Sequence, residues 1–205
     1  MSEEVVATLG LDRRSSRLLS AVHEAGHAVV AHAVGAWATN VAVADGEQLG
    51  LGGNYTEVEM LGGGEVPLPE GLAILAAGIQ TTYYWLRGRG FTDMAMLTRV
   101  LNLLAAGDHD ATTVLCERWG RPDLDLEAGI WPASEIVIRR WPTVLRIGYH
   151  LARVGTMNGS ELLPHLCSSP YSEFVEAREV FRKWRSDFDP THRCVVGDDL
   201  GSGNP

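Results

Sequence analysis

The chain has 205 residues, 45% of them hydrophobic and 21% charged, with a formal net charge of −9. This size and composition fit one globular domain with a substantial core. The acidic balance and the lack of a basic cluster argue against a nucleic-acid partner or an anionic membrane surface. Three widely spaced cysteines, with no Cys-x-x-Cys pair, indicate neither a disulfide framework nor a cysteine zinc finger, and favour free thiols in a reducing cytoplasm.

The first 14 residues form a short leader in our interpretation. They start acidic and contain no apolar stretch of the kind that a signal peptide requires. No apolar run in the chain reaches the ~18 residues that a membrane span requires. We therefore expect a cytoplasmic protein without a membrane span.

The region after the leader begins with a helix and continues with strands. Ser15 or Ser16 is expected to cap a helix that ends at Gly35, because apolar residues recur there at helical spacing. Short strands and turns are predicted over residues 40–60, where valines alternate with small residues and glycines punctuate the run. Gly62–Gly71 reads as a loop.

The rest of the chain is predicted to be helical. A second helix starts at Leu72, a third at Thr92 or Asp93, and a fourth at Asp108, the expected cap. A fifth helix is interrupted at Pro142, and a short sixth helix follows it. The sequence thus predicts a mainly α domain with a small β element over residues 15–167. Residues 168–205 form a tail with one amphipathic helix and a disordered end.

The stretch HEAGH, residues 23–27, carries the clearest chemistry. Residues four apart lie on one face of a helix, so His23 and His27 can present ring nitrogens to one metal ion. Glu24 lies about 100° round the helix, where it can reach a water at the metal without binding the metal. Two imidazoles, a water and a carboxylate base are the components of zinc hydrolysis.

The third ligand must come from another part of the chain. His32 is five residues beyond His27, about 140° away on the helix, so geometry rejects it. Asp93 opens a helix after a glycine-flanked break and could be either a ligand or a plain N-cap. Asp108 is interpreted as a cap followed by solvated residues rather than as a second metal site. The candidate carboxylates are Glu47, Glu57, Glu59, Glu65, Glu70 and Asp93.

At this point the sequence resembles a known family. HEAGHAVVAH is followed by GEQLGLG, by AAG ahead of a helix, by GFTD opening the next helix, and late in the chain by LARVGTMNGSELLPHL. This order is similar to the FtsH-type zinc metalloprotease domain, over roughly residues 15–167. The resemblance implies a zincin-like metallopeptidase fold with a short edge-strand sheet.

The resemblance also implies roles for individual residues. His23, His27 and Asp93 would bind one zinc ion per chain, and Glu24 would be the general base. The segment holding Leu49, Gly50, Leu51 and Gly52 would lie near the edge strand with which a substrate peptide pairs.

The chain departs from this family in ways that affect its partners. It contains no Gly-x-x-x-x-Gly-Lys-Ser/Thr loop, so ATP binding is not expected, and no membrane anchor precedes the HEAGH region. Substrates would then be peptides, flexible tails, unfolded proteins or chains delivered by a partner. Self-association is implied because the family forms rings.

The main alternative is a module that keeps the peptidase fold but only binds protein. Gln80 and Thr81 occupy a region where the family usually carries an acidic residue, which motivates this alternative. The intact Glu24 argues against it, since a protein that only binds has no chemical need for a base.

Overall fold

The computed structural model describes residues 3–43, 54–61, 64–168 and 171–188. Within them the fold is mainly helical with a small antiparallel sheet, which confirms the expected fold class at that level. The strands are β1 (Ala36–Ala42), β2 (Tyr55–Met60) and β3 (Thr156–Asn158). The helices are α1 (Glu3–Leu9), α2 (Arg13–Val34), α3 (Leu68–Gly88), α4 (Met94–Leu104), α5 (Ala106–Arg118), α6 (Glu127–Arg139), α7 (Trp141–Val154), α8 (Gly159–Cys167) and α9 (Tyr171–Asp187).

Helix α2 is the centre of the molecule. Every residue from 18 to 31 is buried, and α3, α6, α7, α9 and β1 all pack against the helix. Its N-cap is Asp12, whose side chain accepts a hydrogen bond from the Ser15 amide at 2.7 Å, so the predicted cap at Ser15 or Ser16 is wrong. The predicted end at Gly35 is confirmed, since this residue has a φ of 91° that favours glycine.

The sheet has the strand order β2-β1-β3, with both pairings antiparallel. Ala36 pairs with Met60 at one end of the β1–β2 ladder, and Val41 pairs with Met157 on the other side of β1. Among the described residues, strand β2 therefore lies at an edge of the sheet, and one side of its backbone has no partner strand there. The predicted strands near residues 40–60 are confirmed, whereas β3, with only three residues, was not predicted.

The later helices follow the prediction with shifted boundaries. Helix α3 begins at Leu68, inside the segment predicted to be a loop, directly after Pro67. Helix α4 begins after Asp93, as expected. Helix α5 begins at Ala106, which places Asp108 inside the first turn, so the prediction that it caps the helix is wrong. The predicted fifth helix is two helices, because α6 ends just before α7 begins at Trp141.

Both ends of the described chain contact the core. Val5 and Leu9 of α1 are buried in the same apolar cluster as α4 residues, so the expected leader contributes to the domain. Helix α9, the predicted amphipathic piece, buries Ala177 and Phe181 against α6 and α2. The expected disorder at the end of the chain concerns residues 189–205, outside the described residues.

Among the described residues, we find no helix with the length and apolar character needed to cross a bilayer.

Candidate metal centre

The HEAGH segment lies in the middle of α2, where it faces α3. His23, Glu24 and His27 are all buried, with 8%, 4% and 5% of their surface exposed. A Cβ atom at Gly78 of α3 would lie 2.5 Å from His23 Nε2 and 2.6 Å from His27 Nε2. The glycine therefore leaves the space that the two imidazoles occupy.

Each imidazole is held by a hydrogen bond at its other ring nitrogen. His27 Nδ1 lies 2.7 Å from the carbonyl oxygen of Ile74, and His23 Nδ1 lies 3.2 Å from the Thr82 hydroxyl. A carbonyl oxygen can only accept, so Nδ1 of His27 carries the proton. In the neutral ring its Nε2 then presents a lone pair. This arrangement is typical of histidines that bind metals, whose second nitrogen is fixed by the protein.

Asp108 completes a group of three potential ligands. The two Nε2 atoms are 3.2 Å apart, and the Asp108 carboxylate lies 3.3 Å from His23 Nε2 through Oδ2 and 3.4 Å from His27 Nε2 through Oδ1. One ligand atom from each residue can be chosen so that all lie within 4.8 Å of one another. These three residues could hold a metal ion.

Burial and neighbouring charges act in opposite directions on the pKa values of His23 and Asp108. The pKa of His23 is subject to burial, which lowers it, but the hydrogen bond and charge of Asp108 outweigh this effect and raise it. Burial favours the neutral form of Asp108, yet the charges of His27 and His23 and the bond to His23 hold its pKa below the ordinary value. The site thus favours a positive charge among these three side chains, and a divalent cation would supply one.

Helix α5 brings Asp108 to α2 through its packing on α3. A Cβ atom at Gly71 would lie 2.5 Å from Leu115 Cδ2, so α5 and α3 approach closely at this point. Cys116, one residue further along α5, is buried with Leu68 and Leu72 of α3. These contacts position the first turn of α5 so that Asp108 faces the two histidines.

Glu24 is held by the edge strand of the sheet. The Thr56 hydroxyl donates to Glu24 Oε2 at 2.8 Å and lies 3.2 Å from the Glu24 carbonyl oxygen. Glu24 and Thr56 line the same cavity as His27 and Asp108. The carboxylate is therefore oriented into the space beside the potential ligands.

Asp93 is not part of this group, and the expectation that it is the third ligand is corrected. Its carboxylate accepts a hydrogen bond from the Met96 amide at 3.0 Å, and the residue is exposed at the start of α4. Of the two interpretations left open by its position, the N-cap is the one observed. His32 also stays outside the group, as predicted from the helix geometry, and its ring packs on Phe174 at 4.8 Å.

The other candidate carboxylates lie elsewhere. Glu57 and Glu59 are exposed on β2, and Glu65 is exposed and pairs with Arg118. Glu70 is buried and pairs with Arg185 at 3.1 Å. Glu47 and the predicted substrate-binding residues Leu49, Gly50, Leu51 and Gly52 fall outside the described residues.

The cavity beside this group of three residues has a volume of about 460 Å³. It is lined by residues of α2, β2, α3 and α5, among them Glu24, His27 and Asp108. Most of the remaining lining is apolar, contributed by Val58, Val66, Ile74, Leu75, Ala111, Val114 and Leu115. A small molecule or a few residues of an extended peptide fit this volume.

No family model, curated protein or solved structure matches this chain.

Proposed function

We propose that this protein is a zinc-dependent endopeptidase that resembles the FtsH-type peptidase domain. The proposal is carried by one observation: two imidazoles and a carboxylate converge within hydrogen-bond distance, beside a buried glutamate and an open cleft. His23, His27 and Asp108 are the proposed ligands, and Glu24 is the proposed general base. Asp108 takes the place that the sequence resemblance gave to Asp93.

The residues present fit one zinc ion. Ligand atoms about 2.0–2.1 Å from zinc in a tetrahedral site are about 3.3–3.4 Å apart. The two Nε2 atoms are 3.2 Å apart, close to this value, and Asp108 faces both of them, with Oδ2 3.3 Å from His23 Nε2 and Oδ1 3.4 Å from His27 Nε2. Three protein ligands leave a fourth position, which is the pattern of catalytic rather than structural zinc sites. When bound, zinc supplies Lewis acidity for hydrolysis.

Glu24 has the position and surroundings of a general base. It would accept a proton from the attacking water and pass it to the leaving amine of the peptide. The bond from Thr56 holds one carboxylate oxygen, Oε2, and leaves the other oxygen to act on the water. Burial of Glu24 excludes bulk water, which strengthens its interactions with the reacting groups.

The cleft supports an extended polypeptide as substrate. Strand β2 lies at the sheet edge and lines the cleft, so a peptide could pair with its backbone while an apolar side chain enters the cavity. The sequence offers no ATP-binding loop, so we propose that cleavage by this chain is ATP-independent. The substrates would be flexible or unfolded polypeptide segments, or one dedicated peptide, in the cytoplasm. The proposal also includes delivery of the substrate by a partner or assembly of this chain into a homo-oligomer.

The test combines metal content with cleavage. The purified protein should contain about one zinc per chain by elemental mass spectrometry and should cleave members of an unstructured peptide library. Glu24→Gln should keep the zinc and lose about 10²–10⁴-fold in rate, because the base is absent while the ligands remain. Cleavage by Glu24→Gln at the wild-type rate would refute the mechanism. Zinc binding with no cleavage of any peptide would favour the protein-binding module instead.

A further inference from the structure

A second cavity, of about 570 Å³, lies where the start of α2 meets the ends of α3 and α7. It shares no lining residue with the cleft at the metal centre. Four of its lining residues are arginines, namely Arg14, Arg17, Arg89 and Arg153, and Asp12 is the acidic residue among them. The cavity is therefore strongly basic, although the chain as a whole carries a charge of −9.

These arginines are held in place by groups that leave their charge available. Arg17 donates from Nε to the carbonyl oxygen of Ala152 at 2.5 Å. The guanidinium of Arg89 lies 4.1 Å from the ring centre of Trp85, and Arg153 lies 3.3 Å from His150 Nδ1. A carbonyl oxygen, an aromatic face and an imidazole fix orientation without neutralising a guanidinium as a carboxylate would.

Three of the arginines lack the usual surface partner. Across residues 3–43, 54–61, 64–168 and 171–188, no carboxylate lies within 4 Å of the guanidinium of Arg14, Arg89 or Arg153. Arg99 and Arg118, elsewhere on the surface, both pair with glutamates. The concentration of unneutralised positive charge is thus a local property of this cavity.

Helix dipoles explain part of this arrangement but not all of it. Arg89 and Arg153 lie at the C-terminal ends of α3 and α7, where positive side chains are favourable. Arg14 lies in the first turn of α2, where a positive charge opposes the dipole. The charge of Asp12 interacts with Arg14 and Arg89 and offsets one of the four positive charges, so the cavity keeps a net positive charge. A bound anion would stabilise Arg14 together with the other arginines.

We propose that this cavity binds a small anion that carries two or more phosphate groups. Guanidinium groups bind phosphate oxygens through paired hydrogen bonds, and several arginines on a concave wall concentrate the positive potential. More than one phosphate is required to match three or four positive charges. The volume lies within the range of small-molecule sites, and the exposed ring of Tyr149 offers a surface for an organic part of the ligand.

The proposal is tested by calorimetric titration with inorganic tripolyphosphate at low ionic strength. The wild-type protein should bind one equivalent, and added salt should weaken the binding. The double variant Arg14→Gln with Arg153→Gln should bind at least about tenfold more weakly, because each change removes a charge-assisted contact. Both side chains are exposed, so the melting temperature should change little.

Arg87→Gln is the matched control, since Arg87 is exposed on α3 and does not line the cavity. It removes one positive charge, as Arg14→Gln alone does, and it should leave binding unchanged while Arg14→Gln alone weakens binding. Equal weakening by the control and by Arg14→Gln with Arg153→Gln would show general charge attraction and overturn the proposal. Binding that neither variant affects, as expected for tripolyphosphate at the metal centre, would also overturn it. Citrate that binds as tightly as tripolyphosphate would refute recognition of phosphate.

Discussion

The hydroxyl of Thr56 donates a hydrogen bond of 2.8 Å to Glu24 Oε2, which joins the edge strand of the sheet to the proposed general base. Thr56 lies on β2, the strand with which a substrate peptide would pair, and Glu24 lies on α2 between the two histidines. The groups that would bind the substrate backbone and the group that would move the proton are therefore in direct contact. Any change in one is expected to affect the other.

Thr56→Val should slow peptide cleavage without affecting the metal. Valine has nearly the same shape but cannot donate a hydrogen bond, so the carboxylate of Glu24 would lose its orientation. A hydrogen bond to a charged group contributes about 1.5–3 kcal/mol, which corresponds to a fall of about 10–100-fold in kcat. Thr56→Ser keeps the hydroxyl and should restore most of the rate. Both variants should contain as much zinc as the wild type, and a Thr56→Ser enzyme as slow as Thr56→Val would contradict the role of the hydroxyl.

The zinc affinities of Asp108→Asn and Asp93→Asn test which of the two residues is the third zinc ligand. Asparagine at position 108 removes the negative charge beside His23 and His27, so zinc affinity should fall at least about 100-fold, since even outer-shell partners contribute about 10–100-fold. Asparagine at position 93 is as good a helix N-cap as aspartate, so Asp93→Asn should leave both zinc affinity and stability unchanged. Competition with a chelating dye measures both affinities. Loss of zinc in Asp93→Asn alone would restore the ligand set implied by the sequence resemblance.

The part of the centre that could be predicted from sequence is the part that one helix determines. The fixed geometry of α2 relates His23, Glu24 and His27. Their spacing alone indicates that the two histidines share one helix face and that Glu24 lies about 100° from His23. Gly35 and Asp93 were likewise predicted from local backbone requirements, and both end or begin helices as expected.

Asp108 could not be assigned from local pattern, because its position depends on contacts between distant elements. The chain passes through the sheet, α3 and α4 before α5 returns it to α2, and the packing of Leu115 near Gly71 sets the final angle. One sequence feature favours Asp108 as a ligand: its spacing places it on the same helix face as Ala111 and Leu115. All three residues line the cleft. The three-residue strand β3 was missed for a similar reason, since its pairing with β1 is long-range.

The protein should lose stability in weak acid because of His32. Burial, aided by the charges of Arg140 and Arg178, lowers the pKa of His32 from 6.5 to about 4. Its Nδ1 atom is buried and has no hydrogen-bond partner in the described part of the chain, so the folded state does not favour protonation. Between pH 6.5 and about 4 the unfolded chain binds a proton that the folded chain does not. The stability that His32 contributes is therefore fully present above pH 6.5 and is lost as the pH drops towards about 4.

The size of this effect follows from the shift. A pKa change of this size corresponds to at most about 3.4 kcal/mol, and partial access of solvent to His32 reduces this free energy to about 1–2 kcal/mol. Urea unfolding of the wild type and His32→Gln at several pH values measures the difference, in which the contributions of other groups cancel. Identical pH dependence in the wild type and His32→Gln would exclude His32 as the cause.

Gly78→Ala should disrupt the metal centre from the opposite helix. The added methyl group would lie 2.4 Å from His23 Cε1 and 2.6 Å from His27 Nε2, far inside normal contact distance. Either the imidazoles rotate away from Asp108 or α3 moves away from α2, and overpacking of this kind costs about 1–3 kcal/mol. Gly88→Ala is the matched control, because it lies on the same helix and its Cβ would meet no atom within 4 Å. Zinc affinity and melting temperature should both fall for Gly78→Ala. Both should stay at the wild-type values for Gly88→Ala. A Gly78→Ala protein with normal zinc affinity would show that the imidazoles do not need the space that this glycine leaves.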